Sequence, residues 1–130
     1  MEREMSPAAK ELFELEKESS NRLNAKDFEW FEDKLKPAEY VRYSFDGEPT
    51  ILGAEAAGEN VGKRMEDPNF EWRYCPVWTE VSADGNLGYA WGTLTEKSST
   101  MPLRTGKYVT TWRKIDGKWH ETNLMTNFDD

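Results

Sequence analysis

Apolar and polar residues alternate along this chain with two different periods, and the period changes near residue 40. Over residues 7–23 the spacing is three and four. Leu12, Glu16, Ser19 and Leu23 share one face, flanked by Ala9, Phe13 and Ser20, which predicts a helix with two polar residues set into an apolar stripe. Ser6-Pro7 opens it, because a serine hydroxyl accepts a free amide N–H and a proline at the first helical position has none to satisfy. Asp27 caps a second helix carrying Phe28, Trp30, Phe31 and Leu35, expected to stop at Lys36-Pro37 because the residue before proline avoids helical geometry. From Tyr40 the period becomes two. Val41, Tyr43 and Phe45 alternate with Arg42 and Ser44, predicting a strand over about 39–45 that turns at Asp46-Gly47. The alanine- and glutamate-rich stretch Gly53–Met65 predicts a third helix, in which Gly58 and Gly62 each cost about 1 kcal/mol. Four β segments follow at about 69–82, 87–97, 105–115 and 118–127. The first two are joined at Ala83-Asp84-Gly85-Asn86 and the last two at the type I′ pair Asp116-Gly117. Between them, Ser98 to Arg104 is a polar loop containing Pro102. Three helices and a strand followed by a four-stranded antiparallel meander make an α+β fold, with a curved sheet wrapped around the helices.

The 130 residues suit a single domain, 1–130, large enough to bury a core and one small-molecule pocket. Seventeen Lys and Arg against 25 Asp and Glu leave a formal charge of −8. That balance argues against nucleic acid and anionic membrane surfaces as partners, since both are bound by basic surfaces. Cys75 is the only cysteine and His120 the only histidine, so no internal disulfide framework is possible and a transition-metal site would need mostly carboxylate ligands. Neither a metal nor a cofactor is expected. No apolar run reaches the roughly 18 residues of a membrane span, and Met1 to Pro7 lacks an apolar signal segment. A cytoplasmic protein is expected, with a mature secreted form the alternative.

Two stretches carry a resemblance: Val81-Ser82-Ala83-Asp84-Gly85-Asn86-Leu87-Gly88-Tyr89-Ala90-Trp91-Gly92, and Gly106-Lys107-Tyr108-Val109-Thr110-Thr111-Trp112-Arg113-Lys114-Ile115-Asp116-Gly117-Lys118-Trp119. They resemble the NTF2-like superfamily, which includes SnoaL-like and ketosteroid-isomerase-like proteins and the DUF4440 domains. Leu23-Asn24-Ala25-Lys26-Asp27 is similar to the family's first-helix end, with Lys26 where glycine is usual. The likeness spans 7–128. It implies a cone with a central pocket and a homodimer formed through the sheet. It leaves the activity open among isomerases, dehydratases, cyclases, hydrolases and binding domains. Sliding the ketosteroid-isomerase pattern along without gaps puts the oxyanion-hole tyrosine at Ser19 and the general-base aspartate at Tyr43. Neither residue can perform the family chemistry, but both are thereby expected to face the pocket. The same comparison assigns Glu121, Asn123 and Met125 to the concave face of the last strand and leaves His120 on the convex face.

Polar side chains at core positions cost stability unless they are paired or functional. Glu16 from the first helix and Glu121 from the last strand, converging in an aromatic cavity, would form a general acid/base pair with at least one raised pKa. The structural alternative has Glu16 accepting from Trp or Tyr donors and Glu121 pairing with Arg22, Arg73 or Arg113. The chain holds 6 Trp, 5 Tyr and 6 Phe. Period-two stripes of Trp72, Tyr74 and Trp78, of Tyr89 and Trp91, and of Tyr108 and Trp112 are either ordinary core pairs or the walls of a pocket for a flat apolar ligand. Cys75, between aromatics and without a histidine at motif spacing, reads as a buried, inert thiol. The well-capped, lysine- and glutamate-rich first helix is of a kind that designed sequences favour, so natural and engineered origins both stand. The expected function is cofactor-independent acid/base chemistry on a small hydrophobic, cyclic or aromatic molecule. Glu121 and Glu16 would act as acid and base, Asn123, Ser19 and Tyr43 would orient, and Trp72, Tyr89, Trp91, Tyr108, Trp112 and Met125 would line the site. The alternatives are a non-catalytic binding or dimerisation domain, or an engineered scaffold with a rebuilt pocket.

Overall fold

Helix α1 runs from Pro7 to Asn24, opened by Ser6, whose hydroxyl accepts from the Ala9 N–H at 3.1 Å. Its inward face carries Ala9, Leu12, Glu16, Ser20 and Leu23, all buried. Leu12 is completely enclosed, which contributes about 1.5–3 kcal/mol of hydrophobic stabilisation. The helix ends in a turn where Lys26 stands at φ 61°, a left-handed geometry that glycine adopts without strain. Three short elements and a third helix follow: α2, Phe28–Lys34; β1, Val41–Tyr43; β2, Ile51–Leu52; and α3, Ala54–Arg64. The computed structural model describes residues 3–34, 37–44 and 47–130, apart from the Glu32 side chain. The expected helix stop at Lys36 and the start of the Asp46-Gly47 turn lie outside those residues.

Four long strands complete the chain: β3, Glu71–Val81; β4, Leu87–Lys97; β5, Arg104–Ile115; and β6, Lys118–Phe128. They form the expected meander, and the hairpin between β5 and β6 turns on Asp116 and Gly117, both at positive φ. The sheet order is β2-β1-β6-β5-β4-β3, with β1 parallel to β6. The β2 strand was not expected, because two residues are too short to show a period.

Helix α1 packs along the edge strand β3 and supplies that edge with partners. The Tyr74 N–H donates to Ser20 Oγ at 2.9 Å, and the Asn24 amide bonds both the N–H and the carbonyl of Trp72, at 3.0 and 3.1 Å. These bonds occupy backbone groups near the start of the strand that would otherwise be free to pair with another chain. The core lies between the helices and the concave face, where Leu23, Tyr40, Trp72, Leu94, Tyr108, Leu124 and Phe128 pack in one cluster. Leu12, Trp112 and Trp119 form a second. Among the described residues no helix is long and apolar enough to cross a membrane.

Candidate functional site: two carboxyls in the cone

The helices leave the concave face incompletely filled, and a cavity of about 1050 Å³ opens there. Glu16 and Ser19 reach it from α1, Tyr40 and Arg42 from the start of β1, Trp72 and Tyr74 from β3, Thr110 from β5, and Glu121 and Leu124 from β6. Phe28, Phe31 and most of α3 complete the wall.

Three inward residues of β5 converge on Glu16. The Tyr108 hydroxyl donates to Oε2 at 3.1 Å, the Trp112 indole N–H to Oε1 at 2.7 Å, and the Thr110 hydroxyl also to Oε1. Residues 108, 110 and 112 share a face because a strand repeats every two residues. Burial raises the Glu16 pKa from its ordinary value and the three donors pull against that rise, since each favours the charged form. Glu121 has no such set. Burial first, and then the charge of Glu16, push its pKa well above the ordinary glutamate range, with only the Tyr40 hydroxyl opposing. The two carboxyls are coupled, and the asymmetry of donors favours the charged form at Glu16 and the protonated form at Glu121. The Tyr40 and Tyr74 hydroxyls are held protonated by burial above all. Among the described residues no three His, Cys, Asp or Glu side chains converge as metal ligands would.

Of the residues singled out from the sequence, Glu16, Ser19, Trp72 and Glu121 line the cavity. Tyr108 and Trp112 are buried behind it and act on Glu16. Five others face away and correct the expectation that they line a pocket: Tyr43, Tyr89, Trp91 and Met125 are exposed, and Asn123 accepts from the Thr111 hydroxyl at 2.6 Å. Each has a local cause. In β6 the register shifts opposite Thr111 and Trp112, so Thr122 is an extra residue. Such a bulge reverses parity beyond it, so Glu121 points inward while Leu124, Thr126 and Phe128, rather than Asn123 and Met125, follow it. In β1 the inward position belongs to Arg42, which is 1% exposed, and so Tyr43 turns outward. In β4 the inward positions are Gly88, Ala90, Gly92 and Leu94, small where α1 and β3 press close: a Cβ at Gly88 would run into Leu12. The outward positions therefore hold Tyr89 and Trp91. Cys75 is exposed rather than buried, because Trp72 and Tyr74 take the inward parity of β3. His120 pairs with Arg113, on the face opposite Glu121 and Trp112.

The outward aromatics are not scattered. Successive cross-strand partners run Trp78, Trp91, Val109, Met125 and Tyr43 across β3, β4, β5, β6 and β1. Four of these five are exposed, Trp91 at 44% and Met125 at 48%.

Sequence reasoning missed Tyr40, Arg42 and Thr110 as cavity residues. The alternation Val41, Tyr43, Phe45 against Arg42, Ser44 fits either face, and hydrophobicity favoured the wrong one. Thr110 carried no signal of its own beyond sharing parity with Tyr108 and Trp112.

The fold is the NTF2-like cone. An NTF2-like protein of unknown function from Pseudomonas putida superimposes with a TM-score of 0.76 at 14% identity, covering 95% of this chain and 89% of that one. A ketosteroid isomerase-like protein from Erwinia carotovora atroseptica gives 0.69 at 14% identity, with 92% and 93% covered. An epoxide hydrolase from M. tuberculosis described as LEH-like gives 0.66 at 16% identity, with 95% and 82% covered. At these identities the likeness establishes the fold alone. No family model matches the chain, and no curated protein matches it.

Proposed function

We propose that the cone is a cofactor-independent acid/base site for a small hydrophobic molecule, with Glu121 as its proton donor. One observation carries this reading: two carboxyls share one cavity, and only one of them has the donors to hold a charge. Environments that push paired groups apart in this way are how active sites separate acid from base. Glu121 gives its proton to a substrate hydroxyl or epoxide oxygen as the C–O bond breaks, and the Glu121 carboxylate so formed takes a proton back from the neighbouring substrate carbon or from the water that adds. Glu16, both of whose oxygens are engaged, is the fixed anion that keeps Glu121 protonated. Tyr40 and Ser19 orient the substrate. Isomerase, lyase or cyclase chemistry fits this arrangement, and the ketosteroid isomerase-like and epoxide hydrolase neighbours supply the first compounds to try.

The test is a panel of unsaturated cyclic ketones and cyclic epoxides offered to the unaltered protein and to Glu121→Gln. Turnover is expected to fall on the order of 10²–10⁴-fold in the variant, while affinity for the same compound stays within a few-fold. Equal turnover by both proteins would overturn the assignment.

The apolar row across the outer face supports a second reading, of assembly rather than chemistry. A second copy of this chain would cover Trp91, Val109 and Met125 through an isologous contact. Sedimentation of Trp91→Lys/Met125→Lys against the unaltered protein tests it: a dimer that becomes a monomer supports the contact, and an unaltered monomer removes it.

A further inference from the structure

Three hydrogen-bond donors in the cavity wall lack an acceptor. The Arg42 guanidinium, almost wholly enclosed, donates from Nη1 to Asn60 Oδ1 at 2.8 Å, and its Nε and Nη2 are buried without a partner. The Tyr74 hydroxyl is buried without a partner as well. Both side chains line the cavity and interact electrostatically. The Trp72 ring lies against the guanidinium, its centroid 4.8 Å from Cζ. That contact favours the cation through its face and offers no acceptor in the guanidinium plane. Among the described residues Arg42 forms no ion pair. Of its charged neighbours, Arg64 repels it, and Glu48 is already engaged by Arg64 at 3.2 Å. A buried guanidinium missing its counter-ion is a costly arrangement, and what is missing is specifically an acceptor. Nε and Nη2 form the edge of the guanidinium that grips a carboxylate with two parallel hydrogen bonds.

We propose that the cavity binds the carboxylate of an apolar organic acid, held by the Arg42 guanidinium with the Tyr74 hydroxyl as third donor. The hydrocarbon body lies against Leu23, Phe31 and Leu124. A monocarboxylate fits better than a phosphate ester, because one negative charge balances Arg42 whereas a dianion would add repulsion from Glu16. The inference rests on reading the cavity as a substrate site and narrows its substrates to hydrophobic monocarboxylic acids, whose remaining oxygen function meets Glu121.

Calorimetric titration with matched pairs tests it: benzoate, phenylacetate and cyclohexanecarboxylate, each against its neutral amide. At least one acid is expected to bind saturably and about tenfold or more tighter than its amide. Tyr74→Phe should weaken the acid several-fold and leave the amide unchanged. Arg42→Lys should cost the acid about tenfold, since an ammonium cannot reproduce the fork. Because altering Arg42 also disturbs Asn60 and Trp72, the acid-to-amide ratio in the unaltered protein and the Tyr74→Phe variant carry the test without it. Equal affinity for acid and amide, or no acid binding up to about 10 mM, would overturn the proposal. Glu121→Gln separates the two readings. Retained acid binding with unaltered turnover sinks the Glu121 assignment alone, and lost acid preference with Glu121-dependent turnover sinks this one alone.

Discussion

Glu96 and Glu121 both point inward from the sheet, and their surroundings are opposite. Glu96 is buried between two cations, Arg64 at 3.1 Å and Arg104 at 3.8 Å. Glu121 is buried beside a second carboxyl, with no cation among the groups that set its pKa. The first arrangement is how a fold accommodates a buried charge, since removal of either side leaves the other uncompensated. The second stabilises nothing in the empty protein. A carboxyl kept neutral at the end of a cavity is an arrangement suited to chemistry, and the contrast within one sheet separates the two uses of the same residue type.

The comparison breaks most visibly at Glu96. Glu96→Gln should lose about 3 kcal/mol of stability in urea denaturation, the low end for a broken buried pair, because Arg64 and Arg104 lose their shared carboxylate and keep the more exposed Glu48 and Asp130. Glu121→Gln replaces a neutral acid by a neutral amide of the same shape, so it should leave stability nearly unchanged at acid pH, where the unfolded chain is protonated too, and raise it at neutral pH, where the unaltered protein must take up a proton to fold. A smaller effect is expected behind Glu16: Trp112→Phe removes the 2.7 Å indole bond to a buried carboxylate, worth about 1.5–3 kcal/mol.

The pH dependence sharpens the contrast. Glu121 has a raised pKa in the folded state, so between the ordinary glutamate value and that higher one the folded protein holds a proton that the unfolded chain has released. Stability should therefore fall as pH rises through that window, by about 1.4 kcal/mol per pH unit for one proton. The slope should flatten in Glu121→Gln, and urea midpoints measured from acid to mildly alkaline pH check it. The smallest effect belongs to the surface. The exposed pair Arg73 and Glu71, 3.2 Å apart, should be worth about 0.2–1 kcal/mol, read from Arg73→Ala.

The elements were legible because their signals are local: Ser6-Pro7 opens α1, Asp116-Gly117 turns the last hairpin, and the four long strands fall within a few residues of expectation. Glu16 and Glu121 were legible because a glutamate stands out on an apolar face. Asn123 and Met125 were misassigned because a bulge at Thr122 depends on the pairing of β6 with β5, which the chain does not announce. Arg42 was missed for a related reason. A three-residue strand has no reliable inner face until its neighbours are placed, and a buried arginine contradicts the hydrophobic pattern that sequence reading follows.

Carbon-13 NMR of glutamate-labelled protein, titrated through neutral pH, tests most directly whether Glu121 is a neutral acid inside the cone. One carboxyl carbon is expected to keep the chemical shift of a protonated acid at pH 7 and to vanish in Glu121→Gln. A spectrum in which every glutamate is ionised at that pH would contradict the account.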